Sequence, residues 1–400
     1  MKPIVLACAA AALLSAGAVT AATPLVPQAG LPKPDSQGSY LFWSRPEQWI
    51  GYRNIEKIFP THVVKRGAKV HPLPKAKSEL KVSYDYKGET WTPDSYMDKA
   101  DAAGLLVIHH GQIVLERYAH GYGPEQRWTS FSVGKSFSST MLGAAVRDGQ
   151  IKSLDDKVTD YLPALKGSAY EGVTIKNVLN MTSGVKWNED YGDAKSDVAL
   201  IKGEKSVNGS DPIVTYMARL PREAPPGTKW VYKTGETNLI GSIVRAATHR
   251  SMADLLSEKV WKPYGMEKDA VWMLDDAGHE FSGCCLSATL RDFGRYGLFF
   301  KDGAKINGKP IVPDDWVKSA TTSSDVARKP DGSGYGYQWW VRTPPVYEAV
   351  GIFGQMIHIN PDLDLVIVVQ SAWPTSGDRA DAQARQALVK AVEEAVRAGK

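Results

Sequence analysis

Cysteine is scarce in this sequence, with three in 400 residues. Cys8 stands in the first apolar stretch. Cys284 and Cys285 are neighbours, a spacing that bridges only with strain. Stability is therefore expected from a buried core and not from a disulfide framework. No Cys/His spacing suits zinc, and none of the eight histidines falls in a His-Glu-x-x-His pattern, so neither a metal nor another cofactor is expected. His109-His110 before Gly111 reads as a turn. A Gly-x-Ser-x-Gly elbow is also missing, which disfavours an α/β-hydrolase. There is no basic run, and the net charge is only +4 from 48 Lys and Arg against 44 Asp and Glu, so nucleic acid is not an expected partner. Beyond the N-terminus no apolar run is long enough to cross a bilayer.

What is present begins with Lys2 and an Ala/Leu-rich stretch over 4–19, followed by Val19-Thr20-Ala21 and Ala22. This reads as a signal peptide over 1–21, and so as an exported protein, periplasmic or secreted, with no stable membrane insertion after the signal is removed. Hydrophobic residues make up 43% of the chain, enough for a large core at this length. Residues 22–100, rich in Pro, Lys and aromatics, read as an N-terminal extension wrapped over the surface and anchored by Trp43, Trp49 and Phe59. A hairpin follows, with strands at 104–109 and 112–118. Helices are expected over 132–147, 174–181, 212–219, 236–248 and 252–260, and from the cap Thr289, with Asp292 at the capping-box position, to Phe300. Strand signals return only late, at 335–341, 355–360 and 365–371, before an amphipathic helix over 379–397. The expected class is α/β of the α+β type. Residues 101–131 and 286–400 form an antiparallel sheet domain flanked by helices, into which a mostly helical domain, 132–285, is inserted.

The chemistry centres on Ser132-Val133-Gly134-Lys135. A serine hydroxyl needs a base within hydrogen-bond reach to act as a nucleophile. Positions i and i+3 share one helix face, which places the lysine amine behind the serine. Burial can depress that amine's pKa until it accepts a proton. Ser-x-x-Lys also occurs at Ser78 and Ser183. Only Ser132 opens an amphipathic helix directly after a strand hairpin.

The blocks around this motif extend across most of the chain. They include Glu116-Arg117-Tyr118, Ser130 to Phe137, Ser153-Leu154-Asp155-Asp156-Lys157-Val158, Met181-Thr182-Ser183-Gly184-Val185 with Trp187 and Tyr191, Pro226 to Tyr232, and Gly351-Ile352-Phe353-Gly354-Gln355. Their order and spacing resemble the class C β-lactamase-related serine hydrolases, in the branch of 6-aminohexanoate-dimer (nylon-oligomer) hydrolases and carboxylesterases. The resemblance implies a β-lactamase/transpeptidase-like fold. It implies Ser132 as the acylated nucleophile, Lys135 sharing proton transfer, and Tyr232 relaying the proton to the leaving group. It also assigns the oxyanion-hole donors to the backbones of Ser132 and Ile352, and contacts with substrate to Tyr191 and Gly351. Nearness to Lys135 is expected to ease ionisation of the Tyr232 phenol.

Two departures stand out. The second motif reads Tyr232-Lys233-Thr234, with threonine in the third place, which puts in doubt whether that residue holds Lys135. Lys233 is expected to be solvated. The third-motif stretch is Ala349-Val350-Gly351, without the Lys-Thr pair that would hold a β-lactam carboxylate. The expected partner is thus a small-molecule ester or uncharged amide. The competing readings are a non-catalytic binding member of the fold and a D,D-peptidase or weak β-lactamase. Trp187, Trp339 and Trp340 read either as the lining of an acyl pocket or, as is more usual for aromatic pairs at strand ends, as core. Oligomeric state is left open.

Overall fold

The computed structural model describes residues 30–32 and 39–399. The signal-peptide stretch 1–21, with Cys8, lies outside them. Largely continuous apolar runs build the central layer, a seven-stranded antiparallel sheet. Its order is Gly334–Tyr335, Trp340–Val341, Tyr347–Gly351, Gln355–Asn360, Leu365–Ser371, Ala102–His109 and Gln112–Tyr118. Segments far apart in the chain meet where Leu365–Ser371 pairs with Ala102–His109, Val366 opposite Ile108 and Val368 opposite Leu106. Both faces are covered, so all seven residues of Leu365–Ser371 are buried. Leu106, Ile108, Val366 and Val368 face the main core. Leu105, Val107, Ile367 and Val369 face Leu388 and Val392 of the C-terminal helix Arg379–Arg397, along with Tyr96 and Met97 of Pro93–Lys99. Helix Leu290–Lys301 lies close against the inner face: a Cβ at Gly294 would stand 2.7 Å from Ile108 and Leu106. Thr289 caps that helix, accepting from the Asp292 N–H.

The expected hairpin, the two late strands and the last helix are all in place. Four readings are corrected. The segment 39–100 is only in part a wrapping: Trp43 and Phe59 are buried as anchors and residues 65–79 run irregular and unburied, but Tyr52 is fully buried and Thr61–Val64 is a strand. That strand opens a second antiparallel sheet, continued by Ala270–Met273, Leu286–Ala288 and Trp128–Thr129. These strands are two to four residues long, and all but Thr61–Val64 are buried throughout, so they carry no alternation to read. The single strand expected at 335–341 is a hairpin, because the backbone turns at Gln338 with φ 64°. The helix expected at 252–260 is α-helical only over Met252–Leu256, then widens into a π-helix, Ser257–Gly265, that carries Pro263. Finally, Cys284 and Cys285 are joined by a disulfide, with Cys285 held at φ 70°.

Candidate active site

The short strand Trp128–Thr129 delivers the chain into a sharp turn. Phe131 takes φ 43°, a backbone that side-chain-bearing residues rarely adopt, and Ser132 follows in the tight turn Phe131–Val133. Helix Gly134–Arg147 then begins, and its residues 134–145 are all buried. Lys135, one turn behind Ser132, is 1% exposed. Its Nζ lies 3.2 Å from Ser132 Oγ, 2.9 Å from Thr234 Oγ1 and 2.6 Å from the Gly283 carbonyl oxygen. Burial lowers the amine's pKa to about 8, while the charge of Glu189 pulls it back up. The threonine at the departed motif position therefore does hold Lys135.

Tyr232 lies beside this pair. Lys135 Nζ is 5.3 Å from its ring centroid, Ser132 is the hydrogen-bonding neighbour of its phenol, and its ring stacks on Trp340 at 5.5 Å. Its phenol is raised above its ordinary pKa by burial first and by Glu189 second. The expected easing by Lys135 is thus reversed, and Tyr232 rests as a proton-bearing phenol. Trp340, read as core or as pocket lining, is the platform under it, and Trp339 is core. Lys233 is not solvated. It is 1% exposed and its Nζ stands 3.6 Å from the buried Glu236.

Gly351 ends the strand Tyr347–Gly351 against the serine turn. A Cβ there would lie 2.7 Å from the Ser130 carbonyl oxygen and 3.1 Å from Phe131, so its smallness lets this strand close on the Ser132 turn. Ile352 follows, and Phe353 takes φ 57°. Strained residues thus flank the two predicted oxyanion donors, with the Phe131 and Phe353 rings 5.2 Å apart and Tyr52 packed on both at 4.9 and 5.6 Å. Among the described residues neither the Ser132 nor the Ile352 N–H makes a turn, loop or cap hydrogen bond. Ser132, Thr234, Ile352 and Tyr191 line one narrow cleft, with room for about 20 Å³, and Tyr40 and Leu41 add a wall to it.

The sequence reading missed Glu189. Its carboxylate accepts from Trp187 Nε1, from the Tyr191 hydroxyl, from Thr234 Oγ1 and, at 2.9 Å, from the Thr234 N–H. The available signal was its position between Trp187 and Tyr191. Tyr40 was missed because nothing local marks a residue that arrives from another segment. The other Ser-x-x-Lys matches do not form sites: Ser78 and Lys81 are exposed, while Ser183 donates to Glu236 and Lys186 faces solvent. Among the described residues, Asp211, Asp275 and His279 bring potential metal-ligand atoms within 4.8 Å of one another. Arg245, 2.5 Å from Asp211, already supplies a positive charge there.

A serine at a strained turn, backed by a buried lysine and a tyrosine in a fold of this layout, defines a serine hydrolase of the β-lactamase type. The chain belongs to the Beta-lactamase family, whose model matches residues 94–391. It is 29% identical over 351 residues to the 6-aminohexanoate-dimer hydrolase of Paenarthrobacter ureafaciens, covering 84% of this chain and 88% of that one. Among solved structures it is similar to a Bacillus anthracis protein provisionally assigned as a 6-aminohexanoate-dimer hydrolase, with TM-score 0.78, 22% identity, and 91% and 98% of the two chains covered. A family VIII carboxylesterase shares the fold at TM-score 0.56 and 15% identity, over 76% and 98%.

Proposed function

We propose that the protein is an exported hydrolase that cleaves small esters or uncharged amides through an acyl-enzyme on Ser132. The observation that carries this reading is the Lys135 amine held 3.2 Å from Ser132 Oγ with its pKa lowered to about 8. Ser132 Oγ bonds to the acyl carbon as its proton passes to Lys135. The oxyanion that forms is met by the N–H groups of Ser132 and Ile352. The leaving group then departs with a proton from Tyr232, which is replenished from Lys135. Water repeats the sequence to free Ser132. The Tyr191 hydroxyl stands at the cleft wall as a substrate contact.

Export rests on the residue pattern of 1–21. Among the described residues no helix is long and apolar enough to cross a membrane. The preference for uncharged acyl groups rests on Ala349 and Val350, which put no cation at the third-motif position. The 6-aminohexanoate-dimer hydrolase and carboxylesterase relatives make linear ω-amino amides and short esters the first substrates to try.

The test is intact-mass spectrometry after incubation with a fluorophosphonate, wild type beside Ser132→Ala. A single adduct on the wild type, missing from the folded variant, is expected. A folded wild type that takes no adduct would move the protein to the reading of a non-catalytic binding member. Rapid hydrolysis of a carboxylate-bearing β-lactam would overturn the substrate class alone.

A further inference from the structure

The proposed chemistry leaves one charged group unassigned. Glu189 lies on the loop between Ile175–Leu179 and Asp197–Leu200, beside the first turn of helix Thr234–Thr248. Its two oxygens are not equivalent. Oε2 accepts from Trp187 Nε1 and the Thr234 N–H, donors whose direction is fixed by covalent structure. Oε1 accepts from the Tyr191 and Thr234 hydroxyls, which can rotate.

The consequence follows from proton counting. A threonine hydroxyl has one proton and two lone pairs. With that proton given to Glu189, Thr234 offers Lys135 only a lone pair. Gly283 presents a carbonyl oxygen, which can only accept. A neutral lysine amine has two N–H bonds and one lone pair. Thr234 and Gly283 use the two N–H bonds. The lone pair is left for the third neighbour, Ser132 Oγ. Were Thr234 to turn its proton toward Lys135, it would occupy that lone pair, and an N–H would face the serine instead.

We infer that Glu189 is a positioning residue, which sets the direction of the Thr234 hydroxyl and thereby aims the Lys135 lone pair at Ser132. The inference rests on the reading of Ser132 and Lys135 as nucleophile and base. The charged and titratable groups around it are few. Glu189 is the charge that acts on Lys135, the Tyr232 ring lies beside that amine, and Glu189 also raises the phenols of Tyr40, Tyr191, Tyr232 and Tyr335 around it. Lys202 lines the same cleft, with its amine 3.5 Å from the Tyr40 ring centroid.

The isosteric variant Glu189→Gln tests the idea sharply. The two fixed N–H donors hold the glutamine oxygen in the Oε2 place, which puts its NH₂ against the Thr234 hydroxyl and reverses that group. The fluorophosphonate labelling rate of Ser132 is expected to fall on the order of a hundredfold on its high-pH plateau, the scale of a lost general base. The acid limb should move to lower pH, since a negative charge near Lys135 is gone and its lone pair has gained a donor. Thr234→Val removes the hydroxyl that must reverse. It should retain more labelling than Glu189→Gln, and adding Glu189→Gln to it should cost little more. Glu189→Asp, which keeps the charge, should recover part of the rate.

Additive effects in this cycle, or a lowered plateau with an unmoved acid limb, would reduce Glu189 to a helix cap and overturn the inference. Should Glu189→Gln fail to fold in a thermal melt, the comparison of Glu189→Asp with Thr234→Val decides instead: a labelling rate for Glu189→Asp below that of Thr234→Val at unchanged limb position refutes it. Absence of any adduct on wild type would refute the Ser132 reading, a result distinct from either.

Discussion

Two buried cations in this molecule have pKa values near 8 and reach them from opposite sides. Lys135, in front of the sheet at the cleft, is lowered to about 8 by burial. His358, under the C-terminal helix on the other face, is raised to about 8 although burial pushes it down, because Glu348 at 2.8 Å and Glu393 at 3.2 Å hydrogen-bond its two nitrogens. Glu348, paired also with Arg342, is held down to about 2. The difference lies in contact. Where carboxylates touch the cation, hydrogen bonding outweighs desolvation, and the group stays charged and structural. Where the carboxylate is kept one hydroxyl away, as Glu189 is behind Thr234, desolvation wins and the group is left poised to exchange a proton.

That contrast can be broken most decisively at Lys135. Lys135→Met should lower the labelling rate of Ser132 by about a thousandfold, within the range of a lost general base. It should not lower the melting temperature, because an apolar side chain replaces a buried charge with no touching carboxylate. A large fall in stability would place Lys135 with the structural cluster.

The reverse is expected at the back of the sheet. Glu348→Gln strands His358 and Arg342 and should cost about 3 kcal/mol in denaturant unfolding, the usual penalty for halving a buried pair. Labelling per folded molecule should stay at the wild-type rate. A selective loss of labelling would mean that the two clusters are coupled through the sheet.

The smallest and most informative effect is in pH. His358 binds its proton more tightly folded than unfolded, so its contribution is complete below pH 6.5 and disappears as pH rises through about 8, about 2 kcal/mol in all. Lys135 has the opposite sign. Its folded pKa is depressed, so the stability penalty of burying it, about 3 kcal/mol, is present below pH 8 and is relieved between about pH 8 and 10.5. Unfolding free energy measured from pH 6 to 9 should therefore fall and then level off, before the many buried tyrosines, whose pKa values are raised, begin to destabilise the fold near pH 10. Labelling should rise through about pH 8 as Lys135 loses its proton. A flat stability profile would show that neither group carries the assigned shift.

Legibility differed in the same way between the regions. The hairpin Ala102–His109 with Gln112–Tyr118, the strands Gln355–Asn360 and Leu365–Ser371 and the helix Arg379–Arg397 follow from apolar runs or periodicity sustained over contiguous residues. The second sheet does not, because its strands are too short and too buried to alternate. Cys284-Cys285 was read by the ordinary spacing rule for bridges, which the left-handed backbone at Cys285 circumvents. Lys233 is of a residue type common at surfaces, and the buried Glu236 and the Val231 carbonyl beside its amine explain its place.

By itself the sequence determined that Ser132 and Lys135 lie side by side, since a serine and a lysine three residues apart at a helix start share one face whatever surrounds them. It also determined the pattern of departures at Thr234 and Ala349. Only the tertiary structure decided which protons these groups hold. Thr234 is 99 residues from Lys135, Gly283 is 148 residues from it, and Glu189 is 45 residues from Thr234. Burial, charge and hydrogen-bond direction are properties of the space where those segments converge, and no local pattern in the chain encodes them.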